Sequence, residues 1–234
     1  DNAYQAAYGL AVDAAGDVLV TGEALGAVNF GGADVGGGGS SNVFVAKLKG
    51  SDGAHVWSKS FGDAAGVQIG RGIAVDPSGN AYVCGSFTGN IDFGGGNLPK
   101  GGGTDAFLAK LGGASGAHVW SKSFGADANV QEAFSVATDP SGAVAIAGGF
   151  RGTIDLGGGP LLNADATNAT RDIFVVKLSA GGSHLWSKRF GDAADQIARG
   201  VAMDGAGHVV ITGSYKGAPA FGATPLPDAG AAAF

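Results

Sequence analysis

The chain has 234 residues, a net charge of −6 and 46 glycines, but only 7 prolines and 1 cysteine. This composition argues against a nucleic-acid-binding surface, which needs clustered Lys and Arg, and a single cysteine excludes an internal disulfide. No apolar run has the roughly 18 residues typical of a membrane span. The glycines separate short runs rich in Val, Ile, Phe and Ala, which predicts a β protein with many turns.

Each repeat of the chain begins with two predicted strands around a tight turn that an aspartate opens. Asp, Pro and Gly at the first, second and fourth positions, as in 76–79, are typical of a type I turn. We therefore interpret the aspartate as a residue that caps its own turn. The four equivalents are Asp13, Asp76, Asp139 and Asp204. The strand before the turn is predicted at 10–12, 73–75, 135–137 and 201–203, and the strand after it at 17–22, 80–85, 143–148 and 208–213.

The first predicted strand of each repeat carries small residues on one face, because side chains alternate along a strand. Besides a recurring alanine, the position two residues earlier is also small. These earlier residues are Gly9, Gly72, Ser135 and Gly200. Four such strands predict a crowded place where the strands of different repeats converge.

The repeat ends with a glycine-rich loop, a third strand and a strand that contains the motif His-Val-Trp-Ser-Lys-Ser-Phe-Gly, with small changes. The motif occurs three times, 63 and 66 residues apart, and contains every tryptophan. A part that every unit contains is expected to serve packing, so we interpret the tryptophans as wedges between units. The third strands are predicted at 42–48, 105–111 and 172–178, and the motif copies are 55–62 with Trp57, 118–125 with Trp120 and 184–191 with Trp186.

A fixed period of this length predicts a repeat architecture, and period-two alternation predicts strands throughout. One sheet of four short antiparallel strands has two faces to bury, and radial stacking of such sheets buries both. We therefore predict an all-β propeller with four-stranded antiparallel blades of about 63 residues. Three full repeats and one partial repeat make up one domain, or a part of one. Their bounds are about 4–62, 63–125, 126–191 and 192–234.

Segments 72–94, 105–111 and 119–125 resemble the bacterial seven-bladed β-propeller repeat family, called the SBBP repeat. The Asp76 turn is also similar to NHL-type propellers, and the spacing of Gly53 and Trp57 is similar to the tryptophan repeat of quinoprotein-type propellers. The resemblance implies a bacterial protein that is extracellular, periplasmic or attached to the cell surface, although the first residues have no signal-peptide character. The count leaves three arrangements open: part of a longer chain with about seven blades, a ring of two chains, and a distorted four-bladed ring.

Two recurring positions are predicted to form a ligand site. A glutamine occurs eight residues before each turn aspartate, and it either ties neighbouring blades or contributes to a ring of amides at the channel mouth. Three residues later comes a mixed aromatic and arginine position, predicted to lie on a loop that leads into the inner strand; such side chains are common binding anchors. The glutamines are Gln5, Gln68, Gln131 and Gln196. The anchors are Tyr8, Arg71, Phe134 and Arg199.

Metal and catalytic chemistry have weaker signals. Asp92 and Asp155 lie in glycine-rich loops and are weak Ca²⁺ candidates, because each loop supplies a single carboxylate. The buried-strand pattern around Cys84 predicts a packed, inert thiol. The motif histidines are expected on separate blades, too far apart to share one ion, and the motif lysines are expected to form a solvated stripe. These residues are His55, His118 and His184, and Lys59, Lys122 and Lys188.

The leading functional hypothesis is a non-enzymatic scaffold that presents loops to a protein or polysaccharide partner. No motif of a hydrolase elbow, a zinc protease or a phosphate loop is present, so we expect no catalytic residue and no cofactor. Two alternatives are a lectin-like propeller with one shallow carbohydrate site per blade, tied to Tyr8 and Phe134, and an enzyme with an active site on the channel face. An open edge after Phe234 is expected to pair with another chain.

Overall fold

The computed structural model describes residues 3–37, 39–125 and 127–228, and the backbone of 232–233. Within these ranges the regular secondary structure consists of β-strands. None of the described residues forms a helix long and apolar enough to cross a membrane. The all-β prediction is therefore confirmed. The strands are β1 (Gln5–Val12), β2 (Val18–Ala24), β3 (Ala27–Val28), β4 (Val35–Gly36), β5 (Asn42–Leu48), β6 (His55–Phe61), β7 (Gln68–Val75), β8 (Ala81–Phe87), β9 (Asp105–Leu111), β10 (His118–Phe124), β11 (Gln131–Thr138), β12 (Val144–Phe150), β13 (Thr153–Asp155), β14 (Pro160–Leu162), β15 (Asp172–Leu178), β16 (His184–Phe190), β17 (Gln196–Met203), β18 (Val209–Tyr215) and β19 (Ala232–Ala233).

Most of the strands form three four-stranded antiparallel sheets and a fourth sheet with three described strands, which we call units 1 to 4. The remaining strands form two two-stranded sheets, β3-β4 and β13-β14. In units 1 to 3 the tryptophan strand is at the edge opposite the first strand, and the remaining two strands lie between them. The orders are β1-β2-β5-β6, β7-β8-β9-β10, β11-β12-β15-β16 and β17-β18-β19. Units 1 to 3 have the strand number and pairing predicted for propeller blades.

The first strand of each unit is longer than predicted. β1 begins at Gln5 and β7 at Gln68, and these residues pair with Ala24 and Phe87 of the adjacent strands. The sequence pattern missed this segment because a bulge interrupts the alternation of side chains along it.

The first strands of successive units contact one another: β1 with β7, β7 with β11, and β11 with β17. Small residues allow this approach. A Cβ atom on Gly9 would lie 3.1 Å from the backbone nitrogen of Ile73, and one on Gly72 would lie 3.1 Å from Cα of Ser135. The Ser135 hydroxyl instead accepts a hydrogen bond from the backbone N–H of Val201 at 3.1 Å. The small residues therefore mark the line where the inner strands converge.

The hydrophobic cores lie between units. Leu19, Val45 and Trp57 of unit 1 pack in one cluster with residues of unit 2 such as Phe107. A second cluster joins units 2 and 3, and a third joins units 3 and 4. Each inner sheet thus buries both of its faces against its neighbours, which is the packing expected of adjacent blades.

Units 1 and 4 each have an apolar face without a neighbour among the described residues. Leu10 of β1 is 65% exposed, whereas its equivalent Ile73 is 7% exposed. Val210 of β18 is 64% exposed, whereas its equivalent Tyr82 is fully buried. The surfaces that pack between units elsewhere are therefore open at the two ends of the described array. Phe234, after which an open edge was predicted, lies outside the described residues.

Candidate functional site

A β-bulge interrupts each inner strand at an equivalent position. The register shifts fall at Tyr8, Arg71, Phe134 and Arg199. The extra residue of a bulge lies outside the regular ladder, and its side chain is aimed differently from those of its neighbours. The structure therefore corrects the loop placement predicted for these four residues: they lie within the inner strands.

The four bulged side chains stack across the units in chain order, and we call them the bulge ladder. Cζ of Arg71 lies 5.0 Å from the ring centroid of Tyr8 and 5.9 Å from that of Phe134. Cζ of Arg199 lies 5.0 Å from the Phe134 centroid. These distances are within the range of cation–π interactions. The ladder alternates aromatic and cationic groups, and it is accessible, since Tyr8 is 41% exposed and Arg199 is also exposed.

The two guanidinium groups of the ladder form no ion pair with the acidic side chains of the described residues. Among the described residues, no carboxylate lies within ion-pair distance of Arg71 or Arg199. The buried Nε of Arg71 also has no hydrogen-bond partner there. A guanidinium presents five donors in a planar fork that matches a carboxylate. The ladder therefore has the groups to bind an anion in a protein whose net charge is −6.

The Tyr8 phenol at one end of the ladder is neutral and is hydrogen-bonded to an acidic side chain. The Tyr8 hydroxyl donates a hydrogen bond to Glu23 at 2.7 Å and lies 3.1 Å from the Tyr4 hydroxyl. The hydrogen bonds with Tyr4 and then with Glu23 raise the pKa of Tyr8, so the phenol stays protonated. Glu23 is bound to this hydroxyl, and the net charge within the ladder itself comes from its arginines.

The recurring glutamines do not belong to this site, and the predicted ring of amides is wrong. Three of them, Gln68, Gln131 and Gln196, have no exposed surface. The Gln131 side-chain amide donates to Asp127 at 3.1 Å, and the Gln68 backbone N–H donates to the Ser41 carbonyl of the preceding unit at 2.9 Å. Because these side-chain amides are buried, they cannot contact a ligand. The backbone N–H groups of the same three residues donate hydrogen bonds to the preceding unit. Gln5 begins unit 1 and is only partly buried.

Each turn aspartate caps its own turn. Oδ1 of Asp76 accepts hydrogen bonds from the backbone N–H groups of Ser78 at 3.0 Å and Asn80 at 2.9 Å. The equivalent atoms of the other units accept the same bonds in the turns of Asp13, Asp139 and Asp204.

In units 1 to 3 the turn aspartate also pairs with a lysine of the third strand, which the sequence analysis missed. Oδ2 of Asp76 lies 2.9 Å from Nζ of Lys110. Burial raises the pKa of Asp76, but hydrogen bonds from Asn80 and Lys110 outweigh it and hold the pKa below the usual range. The equivalent pairs are Asp13–Lys47 at 2.8 Å and Asp139–Lys177 at 3.1 Å. The signal was present, because a lysine recurs next to the last residue of each third strand.

The tryptophans of units 1 and 2 contact the turn of the following unit. Nε1 of Trp57 donates to the Gly113 carbonyl at 3.0 Å, and Nε1 of Trp120 donates to the Ala180 carbonyl at 3.2 Å. Trp186 is half-buried, and its Nε1 has no hydrogen bond to the described residues. The first two tryptophans are thus wedges between units.

The loop acids and the cysteine occupy ordinary structural positions. Oδ1 of Asp92 accepts hydrogen bonds from Gly94 and Gly96, and Oδ1 of Asp155 accepts one from Gly157. The described residues contain no group of three or more His, Cys, Asp and Glu side chains arranged for a metal ion. Calcium binding at Asp92 and Asp155 stays a prediction.

The Cys84 thiol is fully buried in the core between units 2 and 3. Burial raises the pKa of this thiol to about 12. Because the reactive form is the thiolate, Cys84 is a packing residue in the folded protein.

Comparison with known protein families gives one match. The SBBP family, described as a beta-propeller repeat, matches residues 56–92. This confirms the resemblance over the stretch from the outer strand of unit 1 to the loop after β8, which includes Arg71 of the bulge ladder. No curated protein matches the chain.

Proposed function

We propose that the chain is a non-enzymatic, secreted or cell-surface β-propeller scaffold that binds a carboxylate-bearing partner through the bulge ladder. The observation that carries the binding part is the pair of guanidinium groups, Arg71 and Arg199, without a carboxylate partner among the described residues. The cellular location rests on the resemblance to the SBBP repeat.

The ladder geometry favours a carboxylate over stacking of a neutral sugar. A sugar ring would stack on a free aromatic face, but the arginines already lie over the rings of Tyr8 and Phe134. The rings instead hold the guanidinium groups and restrict their rotamers, which lowers the entropy lost on binding. An acidic polysaccharide and an acidic protein segment share the carboxylate that this surface would recognise.

The test measures binding to two immobilised probes, polygalacturonate and poly-glutamate, with dextran as an uncharged reference. We expect binding to both acidic probes that weakens as salt rises, because exposed charges are screened. Arg71→Ala and Arg199→Ala each remove a charge-assisted contact and should weaken binding about tenfold or more.

Lys49→Ala is the matched control. Lys49 is exposed and lies outside the ladder, so this substitution removes one positive charge without changing the ladder. This variant should bind within about twofold of the parent. Equal losses in Lys49→Ala and Arg199→Ala would show that net charge, and not the ladder, determines binding. Binding to one acidic probe alone would identify the polymer class.

The partner proposal includes a second copy of the chain. The exposed face around Leu10 and the exposed face around Val210 are equivalent to faces that pack together at three places inside this chain. Complementary faces on opposite sides of one molecule permit head-to-tail association.

A further inference from the structure

Two equivalent clefts open at the outer edge of the array, one between units 1 and 2 and one between units 2 and 3. Each has a volume of about 490 Å³, within the size range of small-ligand sites. We call them the rim clefts. The first is lined by Lys59 of one unit and by Asp92 and His118 of the next. The second is lined by the repeat equivalents of these residues, which are Lys122, Asp155 and His184.

Sequence patterns assigned these residues to unrelated roles: a solvated lysine stripe, two loop acids and separate histidines. The structure brings one of each together, because the lysine of one outer strand faces the glycine loop of the following unit. Gly116 and Gly182 contribute to this approach, since a Cβ atom on either would lie 3.1 Å from Cε of Lys59 or Lys122. The same arrangement occurs twice in the chain, and each copy is formed by residues of two adjacent units.

Each rim cleft presents polar atoms that have no protein partner among the described residues. Oδ1 of Asp92 is used by its own loop, while Oδ2 accepts no hydrogen bond there. Neither Lys59 nor Lys122 forms an ion pair in the part of the chain that the structure describes. The imidazole of His118 is held through Nε2, which lies 3.0 Å from Oγ of Ser121. The equivalent His184 lies 3.1 Å from Ser187.

We propose that the rim clefts are two equivalent sites for an uncharged, hydroxyl-rich ligand, a neutral saccharide unit. One carboxylate and one ammonium in each cleft give little net charge, so the cleft favours neither a polyanion nor a polycation. A sugar hydroxyl both donates and accepts, and adjacent hydroxyls can donate to the carboxylate and accept from the ammonium. Two equivalent sites on one chain suit a polymer with repeated units, because binding at the first raises the effective concentration at the second.

This inference is independent of the bulge ladder, which lies on the inner strands. The test measures the binding of three probes, maltohexaose, cellohexaose and mannohexaose. Binding is followed by calorimetry and by the imidazole NMR signals of the histidines. We expect at least one probe to bind with a stoichiometry of two and to shift the signals of His118 and His184 together. No binding of any of the three probes would overturn the proposal.

Asp92→Asn and Asp155→Asn test the sites without breaking the loops. Asn29 occupies the equivalent position of unit 1 and accepts the same turn hydrogen bond from Gly31 at 2.7 Å, so asparagine supports this loop. Each single variant replaces one acceptor oxygen and should reduce the stoichiometry from two to one. The double variant should weaken binding at least tenfold.

Lys188→Ala is the matched control. Lys188 is the equivalent lysine of unit 3, but Ala220 occupies the position that is equivalent to Asp92 and Asp155. This variant should bind like the parent, whereas Lys122→Ala should lose one site. Unchanged stoichiometry in the double asparagine variant would contradict the proposal, and so would loss of binding in Arg199→Ala, which would assign the saccharide to the bulge ladder.

Discussion

Nε1 of Trp57 donates a hydrogen bond to the backbone carbonyl of Gly113, which lies in the turn between β9 and β10 of the next unit. Trp57 is 6% exposed and belongs to the core between units 1 and 2. Trp186 has the same place in its own unit but is only half-buried. The same residue type thus has two environments: Trp57 is hydrogen-bonded to the next unit, and Trp186 has no such hydrogen bond to the described residues.

Trp57→Ala should therefore destabilise the protein far more than Trp186→Ala. The first change opens a cavity between two units and should reduce the free energy of unfolding by about 3–5 kcal/mol. The second removes a half-exposed ring and should cost about half as much or less. Urea denaturation followed by far-ultraviolet circular dichroism measures both. Equal losses would contradict the role of Trp57 as a wedge.

The repeat and its strands were predictable from the sequence because glycine turns and alternating side chains are local signals. The bulge at Tyr8 was not, since a bulge is defined by the pairing of β1 with β2 rather than by either strand alone. The stacking of Arg71 on Phe134 depends on how units 2 and 3 pack. The pair of Lys110 and Asp76 forms within unit 2, and its sequence signal is the lysine that recurs in the third strands. Contacts between distant segments were the part that the pattern did not contain.

Lys110→Met should show the cost of leaving a buried acid without its partner. The side chains of Lys110 and Asp76 are 9% and 4% exposed, and their ion pair is 2.9 Å long. Loss of this charge-assisted contact should reduce the free energy of unfolding by about 2–3 kcal/mol at neutral pH. Lys49→Met, on an exposed side chain, should change it by about 0.5 kcal/mol or less.

The penalty of Lys110→Met should shrink in acid. The folded pKa of Asp76 is lowered, so the contribution of its pairing is present above the unfolded pKa and is lost as pH falls through the folded value, below about pH 4. Chemical denaturation of the parent and the variant over this range measures the difference. A penalty independent of pH would assign the effect to packing of the lysine stem.

Asp105→Asn should stabilise the protein at neutral pH. Asp105 is fully buried, and burial raises the pKa of its carboxyl group. Its Oδ1 and the nearby strand-initial Gln131 Oε1 both lack a hydrogen-bond partner among the described residues. Asparagine is tolerated at the equivalent position, Asn42, and an amide removes the buried charge and adds a donor. We expect a gain of about 1–2 kcal/mol in the free energy of unfolding.

The gain from Asp105→Asn should grow with pH. A folded pKa above the unfolded value means that the parent loses stability as pH rises from about 4 through the folded value, and the variant lacks this loss. Asp172→Asn is the comparison, because Asp172 is also buried but forms an ion pair with Arg189 at 2.6 Å. That variant should be neutral or destabilised. A gain at Asp172 equal to that at Asp105 would show that the ion pair makes no difference.

Self-association should depend on the two open apolar faces. Leu10→Asp places a charge on the face that is open in unit 1, and Val210→Asp does the same in unit 4. If the faces meet head to tail, either change alone should abolish association, because each contact uses one face of each kind. Val119→Asp is the control, since Val119 is 51% exposed on the outer strand β10. Sedimentation velocity over a range of concentrations measures the outcome. Association that survives both Leu10→Asp and Val210→Asp would place the contact elsewhere, and a parent that stays monomeric at every concentration would contradict the partner proposal.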